Sequence, residues 1–322
     1  MSEVDSGPPG RLYDMDHVLM DDGKIYRVLG NFAASDLFLG YNLYSPSIDG
    51  DRNFRGEPYI KNYTEDVMLP TDVMETYDVL KTADTVEFFD PIRSAQESYH
   101  SYRGTVWFEL YERLIEHFGK DSIGIFGSAL PGLHLNTAGI VKNDVDYFIE
   151  GIDNVPRLAE YLLNIREGVG FSDYSPATRQ NICDMWRNVF RNSNNTLGKI
   201  MERRWSGMQY DAPNSKPVLN TFRFRDKTVL TPVGMIDTER IVRKDVTLSG
   251  VVTEDLGGNL YPRTFDLDLG HNNTKVYSFW WKFSTPVRTG DSVILTGDLI
   301  DLNGQEALRL TNYVDHSIAI TN

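Results

Sequence analysis

The sequence of 322 residues contains a single cysteine, Cys183. One cysteine excludes an intrachain disulfide and a zinc site built from several cysteines, and the histidines show no metal-ligand spacing. No stretch approaches the roughly 18 to 20 uncharged apolar residues that a membrane-spanning helix needs. The acidic start of the chain also lacks the apolar run of a signal peptide. We therefore expect a reduced, cytoplasmic protein with no membrane partner.

Three common catalytic fingerprints are also lacking. The sequence contains no Gly-x-x-x-x-Gly-Lys-Ser/Thr phosphate loop, no Gly-x-Ser-x-Gly nucleophile turn and no dinucleotide-binding glycine motif. These absences exclude the commonest competing enzyme classes.

Acidic residues outnumber basic ones, giving a formal net charge of −14, but the charge is unevenly distributed. Residues 1–100 contain 19 Asp and Glu against 8 Lys and Arg, whereas residues 187–244 contain 12 Lys and Arg against 5 Asp and Glu. The basic segment is either a solvated helical face or a phosphate-binding surface. A protein that binds nucleic acid over its whole surface would be more basic.

The pattern of apolar residues divides the chain into three parts. Residues 1–100 alternate apolar and polar positions between turn signals and predict a small N-terminal β unit. Residues 101–244 mix helices and strands: the predicted helices lie at 104–118, 155–167, 176–192 and 194–205, and the strands at 122–126, 144–149 and 218–225. Residues 245–322 contain five short strands, which predict a β barrel of the OB or a related type. The predicted fold class is α+β.

Aromatic residues crowd one predicted strand of the C-terminal part. They are Tyr277, Phe279, Trp280, Trp281 and Phe283. Alternation along a strand would leave either Phe279 and Trp281, or Trp280 alone, on the outer face, where aromatic rings can stack on bases. Packing in the core or against a neighbouring domain is the alternative.

Four Asp-x-Asp pairs occur in the chain, and one of them stands out by its context. Asp144 and Asp146 lie two residues apart in a predicted strand, so both side chains point to the same face while the residues between and after them point into the core. Two adjacent carboxylates repel each other unless a cation lies between them. Oxygen ligands of this kind suit Mg²⁺ or Mn²⁺. The pair is therefore a candidate metal site.

A short apolar strand upstream of this pair ends in Gly127-Ser128. Glycine permits close backbone approach to a ligand, and the N–H groups of the following turn together with the Ser128 hydroxyl can hold phosphate. A phosphate-binding turn beside a two-carboxylate metal site is the arrangement that phosphoryl or nucleotidyl transfer requires.

The segment from Gly127-Ser128 through His134 to Asp144-Val145-Asp146 resembles the Gly-Ser … Asp-x-Asp signature of the DNA polymerase β-like nucleotidyltransferase superfamily. It is more closely similar to a mainly archaeal family of predicted nucleotidyltransferases, which carry Gly-Ser-x-x-x-Gly-x-His before the strand with the acidic pair. Weaker similarity extends to Tyr41-x-x-Tyr44, to Arg203-Arg204-Trp205 and to the C-terminal β segment. Only the central motif is specific.

The resemblance implies a nucleotidyltransferase domain at residues 101–244. Asp144 and Asp146 would then be catalytic residues that bind two Mg²⁺ or Mn²⁺ ions, and Gly127 and Ser128 would bind the triphosphate of an NTP. A hydroxyl of an RNA or small-molecule acceptor would attack the α-phosphate. The superfamily also places a third carboxylate on a later strand, and residues 218–225 contain none. The alternative is thus a degenerate protein that binds nucleotide or nucleic acid without turnover.

Other polar residues are further candidates for nucleotide binding. Lys199, Arg203 and Arg204 share one helical neighbourhood and can clamp phosphates, although solvated helices often carry such clusters. His134 lies close to the predicted phosphate-binding turn, where it either contacts the nucleotide or makes a structural hydrogen bond.

Overall fold

The computed structural model of the chain describes residues 11–32, 36–62, 78–135, 144–166, 170–187, 194–203, 207–210, 218–236, 240–255, 260–279, 287–311 and 315–322. Within these residues the fold is α+β, as predicted, with more strand than helix. The chain forms two compact units. The first comprises 1–64, 79–173 and 205–228, and the second comprises 65–78, 174–204 and 229–322. The predicted 101–244 segment is therefore divided between the two units.

The N-terminal part of the first unit is a β-sheet, as the alternating pattern predicted. Its strands are β1 (His17–Met20), β2 (Ile25–Val28), β3 (Leu37–Pro46), β4 (Arg52–Phe54), β5 (Glu57–Lys61), β6 (Asp78–Lys81) and β7 (Thr85–Phe89). They follow the order β4-β5-β3-β2-β1-β7, with β6 paired to β3. Alternation in β1 and β2 buries Val18, Met20, Tyr26 and Val28 in one apolar cluster.

A second sheet in this unit contains both predicted chemical motifs. Its strands are β8 (Ile123–Phe126), β9 (Asp144–Glu150), β10 (Phe171–Ser172), β11 (Gly207–Tyr210) and β12 (Val218–Arg225), in the order β10-β11-β12-β9-β8. β9 is parallel to β12 and antiparallel to β8. The unit also contains helices α1 (Pro91–Tyr102), α2 (Val106–Phe118) and α3 (Asn154–Ile165).

One face of this sheet packs on α2. Leu110, Leu114 and Phe118 are buried at helical spacing, and Tyr111 of α2 stacks on Tyr147 of β9. The helix ends at Phe118, and the N–H of the following Gly119, which has a φ of +85°, donates to the carbonyl of Ile115 at 3.0 Å. The helix lies within the segment 104–118 that the sequence predicted to be helical.

The opposite face of the sheet carries Asp144 and Asp146 at one end and is covered by the N-terminal part at the other. Phe148 is fully buried there and packs with Met15 and Phe126. Arg225 of β12, with 2 % of its side chain exposed, donates to Asp16 Oδ1 at 2.6 Å and to Glu150 Oε2 at 2.9 Å. This buried ion pair joins the N-terminal segment to the second sheet.

We expect the change Arg225→Met to lower the free energy of unfolding by about 3 to 5 kcal/mol, because the Asp16 carboxylate would remain buried without its cation. Arg55→Met is the matched control: Arg55 pairs with Glu87 at 2.6 Å but is 60 % exposed, so its loss should cost at most about 1 kcal/mol. Urea unfolding at pH 7.5, followed by circular dichroism, measures both. Equal effects would contradict the proposed importance of the buried pair.

The second unit contains two helices and a closed β barrel. The helices are α4 (Pro176–Arg187) and α5 (Asn194–Arg203), and the strands are β13 (Ile241–Asp255), β14 (Arg263–Asp268), β15 (Asn273–Ser278), β16 (Ser292–Asp301), β17 (Glu306–Leu310) and β18 (Ser317–Ile320). The order β13-β14-β15-β17-β16 closes through pairing of β16 with β13, and β18 adds to β16. This five-stranded barrel is compatible with the predicted OB type.

The sequence offered an outward-facing position for Phe279 as one possibility, and the structure does not support it. This side chain is buried, its carbonyl accepts a hydrogen bond from the Tyr261 hydroxyl at 2.9 Å, and the two rings pack edge to face. Its backbone N–H donates to Leu310, so it continues the barrel core. Trp280, Trp281 and Phe283 lie outside the described residues.

The described helices have lengths typical of globular proteins, and the longest, α2, has 13 residues. Among the residues that the structure describes, no helix is both long and apolar enough to cross a membrane.

Candidate active site

The glycine-serine turn and the acidic pair are in direct contact in the first unit. β8 ends at Phe126, which is paired with Asp146 of β9, and the chain then turns at Gly127. Gly127 has a φ of +66°, and a β-carbon at this position would lie 2.6 Å from Asp146 Oδ2. Glycine adopts this backbone conformation without strain and allows this approach, whereas a larger residue would require the carboxylate or the turn to shift. The turn and the carboxylate therefore form one site.

Asp144 and Asp146 project from the same face of β9, as alternation predicted. Val145, Tyr147 and Ile149 point into the core on the other face and are buried, whereas Asp144 is exposed and Asp146 is partly exposed. Among the described residues, no lysine or arginine lies within 4 Å of either carboxylate as an ion pair. Both carboxylates are therefore free to bind a divalent cation, and Mg²⁺ or Mn²⁺ fits their oxygen ligands.

The pKa of Asp146 is raised to about 6, chiefly by burial and then by the negative charge of Asp144. The charges of Arg223 and Lys61 and the nearby side chain of Thr221 act in the opposite direction. Two carboxylates of this kind bind protons more tightly when no metal is present, because protonation removes their repulsion.

We expect the affinity for Mn²⁺ to fall about tenfold between pH 7.5 and pH 5, because a cation must displace the proton of Asp146, whose pKa is about 6. In the metal-free protein, ionisation of Asp146 affects the stability of the fold in the opposite direction: stability falls as the pH rises. Since the folded-state pKa lies above the ordinary value of 3.8, this carboxyl stabilises the fold at low pH, and the contribution is lost as the pH rises through about 6. Isothermal titration with Mn²⁺ at both pH values measures the change in affinity. In the Asp146→Asn protein, most of this difference between the two pH values should disappear.

The strand on which the family resemblance implies a third carboxylate, β12, contains no acidic residue. β12 runs parallel to β9, with Leu219 in register with Asp144 and Thr221 in register with Asp146. The Thr221 side chain lies close to Asp146 and favours its ionised form. Arg223, two residues further along the same face, is buried and acts on Asp146 by its positive charge. The sequence already showed that this strand has no acidic residue. It did not show which residues of β12 lie beside Asp144 and Asp146 of β9.

Three residues of the N-terminal sheet reach the site, and sequence reasoning had assigned none of them a role. Tyr44 of β3 is buried and lies close to the Ser128 side chain. Burial raises the pKa of its hydroxyl above the usual range, and the charges of Asp144 and Asp146 raise it further. Tyr44 lies in the weak N-terminal part of the family resemblance, which was the one signal in the sequence.

Arg52 and Lys61 are the other two residues of the N-terminal sheet. The side chain of Arg52 is 3 % exposed, and its Nη1 donates to the carbonyl of Leu133 at 2.8 Å. Lys61 lies opposite Tyr44 in the pairing of β5 with β3, and its charge lowers the pKa of Asp146. No local motif marks either residue, because the contacts depend on how the two sheets pack.

His134 makes a structural hydrogen bond, which is one of the two roles that the sequence suggested for it. Its Nε2 lies 2.6 Å from the Tyr102 hydroxyl at the end of α1, and the two rings pack edge to face. Burial, together with the charge of Arg52, lowers the pKa of His134 to about 4. The neutral ring thus supports the turn that follows Gly127.

The predicted basic cluster lies in the second unit. The Lys199 ammonium donates to the carbonyls of Ile320, at 3.2 Å, and of Asn322, and Arg203 pairs with Asp291 at 2.6 Å. These contacts attach α5 to the C-terminal strands. Arg204 lies outside the described residues. A role of Lys199, Arg203 and Arg204 in nucleotide binding stays a prediction.

A second group of potential metal ligands lies in the barrel unit and had not been predicted, since Asp245, Asp298 and His316 are far apart in the sequence. Their ligand atoms lie within 4.8 Å of one another, a spacing at which they could hold a metal ion. However, His316 Nδ1 accepts a hydrogen bond from the Thr311 N–H at 3.0 Å, so the neutral ring carries its proton on Nε2, which faces Asp298 Oδ1 at 3.4 Å. Metal-binding histidines usually donate from their second nitrogen. The hydrogen bonding favours a histidine–aspartate pair.

Chemically, the site in the first unit combines a glycine turn, two carboxylates free of ion pairs and three nearby cations, and it can hold a metal ion together with a phosphate group. Comparison of the chain with protein-family models and with curated proteins gave no match.

Proposed function

We propose that the protein is a metal-dependent nucleotidyltransferase, which transfers NMP from an NTP to an RNA or small-molecule acceptor. The observation that carries the proposal is the contact between Gly127 and Asp146 Oδ2, with 2.6 Å between that oxygen and the position of a β-carbon. The contact brings a turn that can bind phosphate against a carboxylate that can bind a metal ion. This is the pairing of functions that nucleotidyl transfer needs.

In this proposal each residue of the site has a distinct task. Asp144 and Asp146 hold Mg²⁺ or Mn²⁺, while the backbone at Gly127 and the hydroxyl of Ser128 bind phosphate oxygens. A bound divalent ion neutralises the phosphate charge and polarises the α-phosphate. An acceptor oxygen forms a bond to the α-phosphorus, the bond from that phosphorus to the bridging oxygen breaks, pyrophosphate leaves, and the acceptor proton passes to solvent.

The charges around the site support a polyphosphate substrate. Arg52, Lys61 and Arg223 all act electrostatically on groups of the site, although the chain as a whole has a net charge of −14. A local concentration of cations in an acidic protein attracts a triphosphate more strongly than the net charge would allow. The cations also offset the repulsion between the phosphates and the two aspartates.

The second candidate function is nucleotide binding without turnover. Thr221 stands in register with Asp146, on the strand where the family resemblance implies a third carboxylate. A hydroxyl is a poorer metal ligand and a poorer base than a carboxylate, so the attacking hydroxyl of the acceptor would be less well activated. The C-terminal barrel would then contact nucleic acid or a protein partner.

Incubation of the full chain with Mg²⁺ and each of α-labelled ATP, CTP, GTP and UTP separates the two candidates. Short oligoribonucleotides serve as acceptors, and pyrophosphate release reports transfer to any acceptor. Metal-dependent pyrophosphate release supports the enzyme. Metal-dependent binding in equilibrium dialysis without pyrophosphate release supports the non-catalytic protein, and no binding of any of the four nucleotides contradicts both.

A further inference from the structure

The edge of the N-terminal sheet formed by β3, β5 and β4 lies directly against the turn that follows β8. Two contacts indicate this placement: Arg52 of β4 donates to the carbonyl of Leu133 at 2.8 Å, and Tyr44 of β3 lies close enough to Ser128 to interact with its side chain. Both contacts involve side chains that are almost fully buried. The sheet edge therefore forms one wall of the candidate site.

Lys61 extends from this wall beside the phosphate-binding turn. In the antiparallel pairing of β3 with β5, Tyr44 lies opposite Lys61, and directly opposed residues point to the same face of a sheet. Lys61 is therefore a neighbour of the residue that contacts Ser128. Its charge also acts on Asp146.

Among the described residues, the ammonium group of Lys61 has no acidic partner in an ion pair of 4 Å or less. The side chain is only half-buried. By contrast, buried Arg225 is held by two carboxylates. A lysine that is directed at a site and is not held by an acidic partner can bind an incoming anion.

Resting on the proposed function, we propose that Lys61 binds the β- and γ-phosphates of the nucleoside triphosphate. The N-terminal sheet would thus be part of the substrate site rather than a separate module. The ammonium group donates charge-assisted hydrogen bonds to phosphate oxygens, and the aspartate-bound cation and Lys61 share the charge of the triphosphate between them. A monophosphate extends less far from the turn and makes little use of Lys61.

The test uses the full chain with Lys61→Met, which keeps the length of the side chain and removes its charge. We expect the affinity for the best-bound NTP, measured with Mg²⁺ by equilibrium dialysis, to fall about 10- to 100-fold, and the affinity for the corresponding monophosphate to change less than about threefold. Lys61→Arg should restore most of the triphosphate affinity. Lys120→Met is the matched control, since Lys120 is exposed before the first residue of β8, at the end remote from Gly127.

If Lys61 only balances the charge of Asp146, its replacement is expected to change the ligand affinities in the opposite direction. Removing a cation near Asp146 would then strengthen Mn²⁺ binding and leave NTP affinity unchanged or higher. That result, or equal losses for triphosphate and monophosphate, overturns the assignment of Lys61 while the proposed function stands. If the unaltered chain binds no NTP at all, the proposed function fails as well.

Discussion

Asp146→Asn is expected to lower pyrophosphate release by about a thousandfold or more, because several kcal/mol of transition-state stabilisation by a bound cation would be lost. Asparagine keeps the shape of the side chain and its contact with Gly127, so the change removes the charge alone. The initial rate with saturating NTP and Mg²⁺ measures the effect. Asp144→Asn is expected to act in the same direction.

The stability of the Asp146→Asn protein separates loss of chemistry from loss of fold. Burial and the charge of Asp144 oppose ionisation of Asp146, so a neutral amide should leave the free energy of unfolding of the metal-free protein at pH 7.5 unchanged or higher. Asp49→Asn is the control for activity, because Asp49 belongs to another Asp-x-Asp pair, in an exposed turn. Full transfer activity in both aspartate variants of the site would refute the enzymatic function.

Gly127→Ala is expected to reduce transfer by about a hundredfold, since a displacement of about 1 Å at a reacting site can have an effect of this size. The added β-carbon would lie 2.6 Å from Asp146 Oδ2, so the carboxylate or the turn must move. The left-handed backbone conformation adds a cost of about 1 to 2 kcal/mol. The rate of pyrophosphate release and the affinity for Mn²⁺ should both fall.

Gly119→Ala is a control for alanine at a positive φ without a close neighbour. Gly119 has a φ of +85°, and a β-carbon there would meet no atom within 4 Å. Its replacement should therefore lower stability while leaving the rate intact. If both glycine variants lose activity in parallel with stability, the close contact with Asp146 has no separate importance.

Local patterns were sufficient to predict the elements that carry the acidic pair and the glycine turn. Period-two alternation placed Asp144 and Asp146 on one face of β9, with Val145 and Tyr147 buried on the other. An uninterrupted apolar run followed by glycine predicted β8 and the turn after it. These features depend on residues within a few positions of one another, and a short segment contains all the information needed to predict them.

Other acidic pairs show why spacing alone was insufficient. Asp14 and Asp16 have the same Asp-x-Asp spacing as the candidate site, yet both are buried, and Asp16 pairs with Arg225 from the other end of the unit's sequence. The partner of each carboxylate, not its spacing, decides whether it is available to a metal ion. An arginine more than 200 positions away in the sequence is invisible to any local pattern.

Local sequence patterns specify the α+β class, the strand with its paired carboxylates and the glycine turn, because helical and strand periodicity are set by interactions along a few residues. The tertiary structure alone decided that this turn contacts Asp146, that Thr221 rather than an acidic residue stands beside it, and that Tyr44 and Lys61 of the N-terminal sheet complete the site. The order and register of strands are chosen by the burial of apolar surface from distant segments, which no single segment specifies.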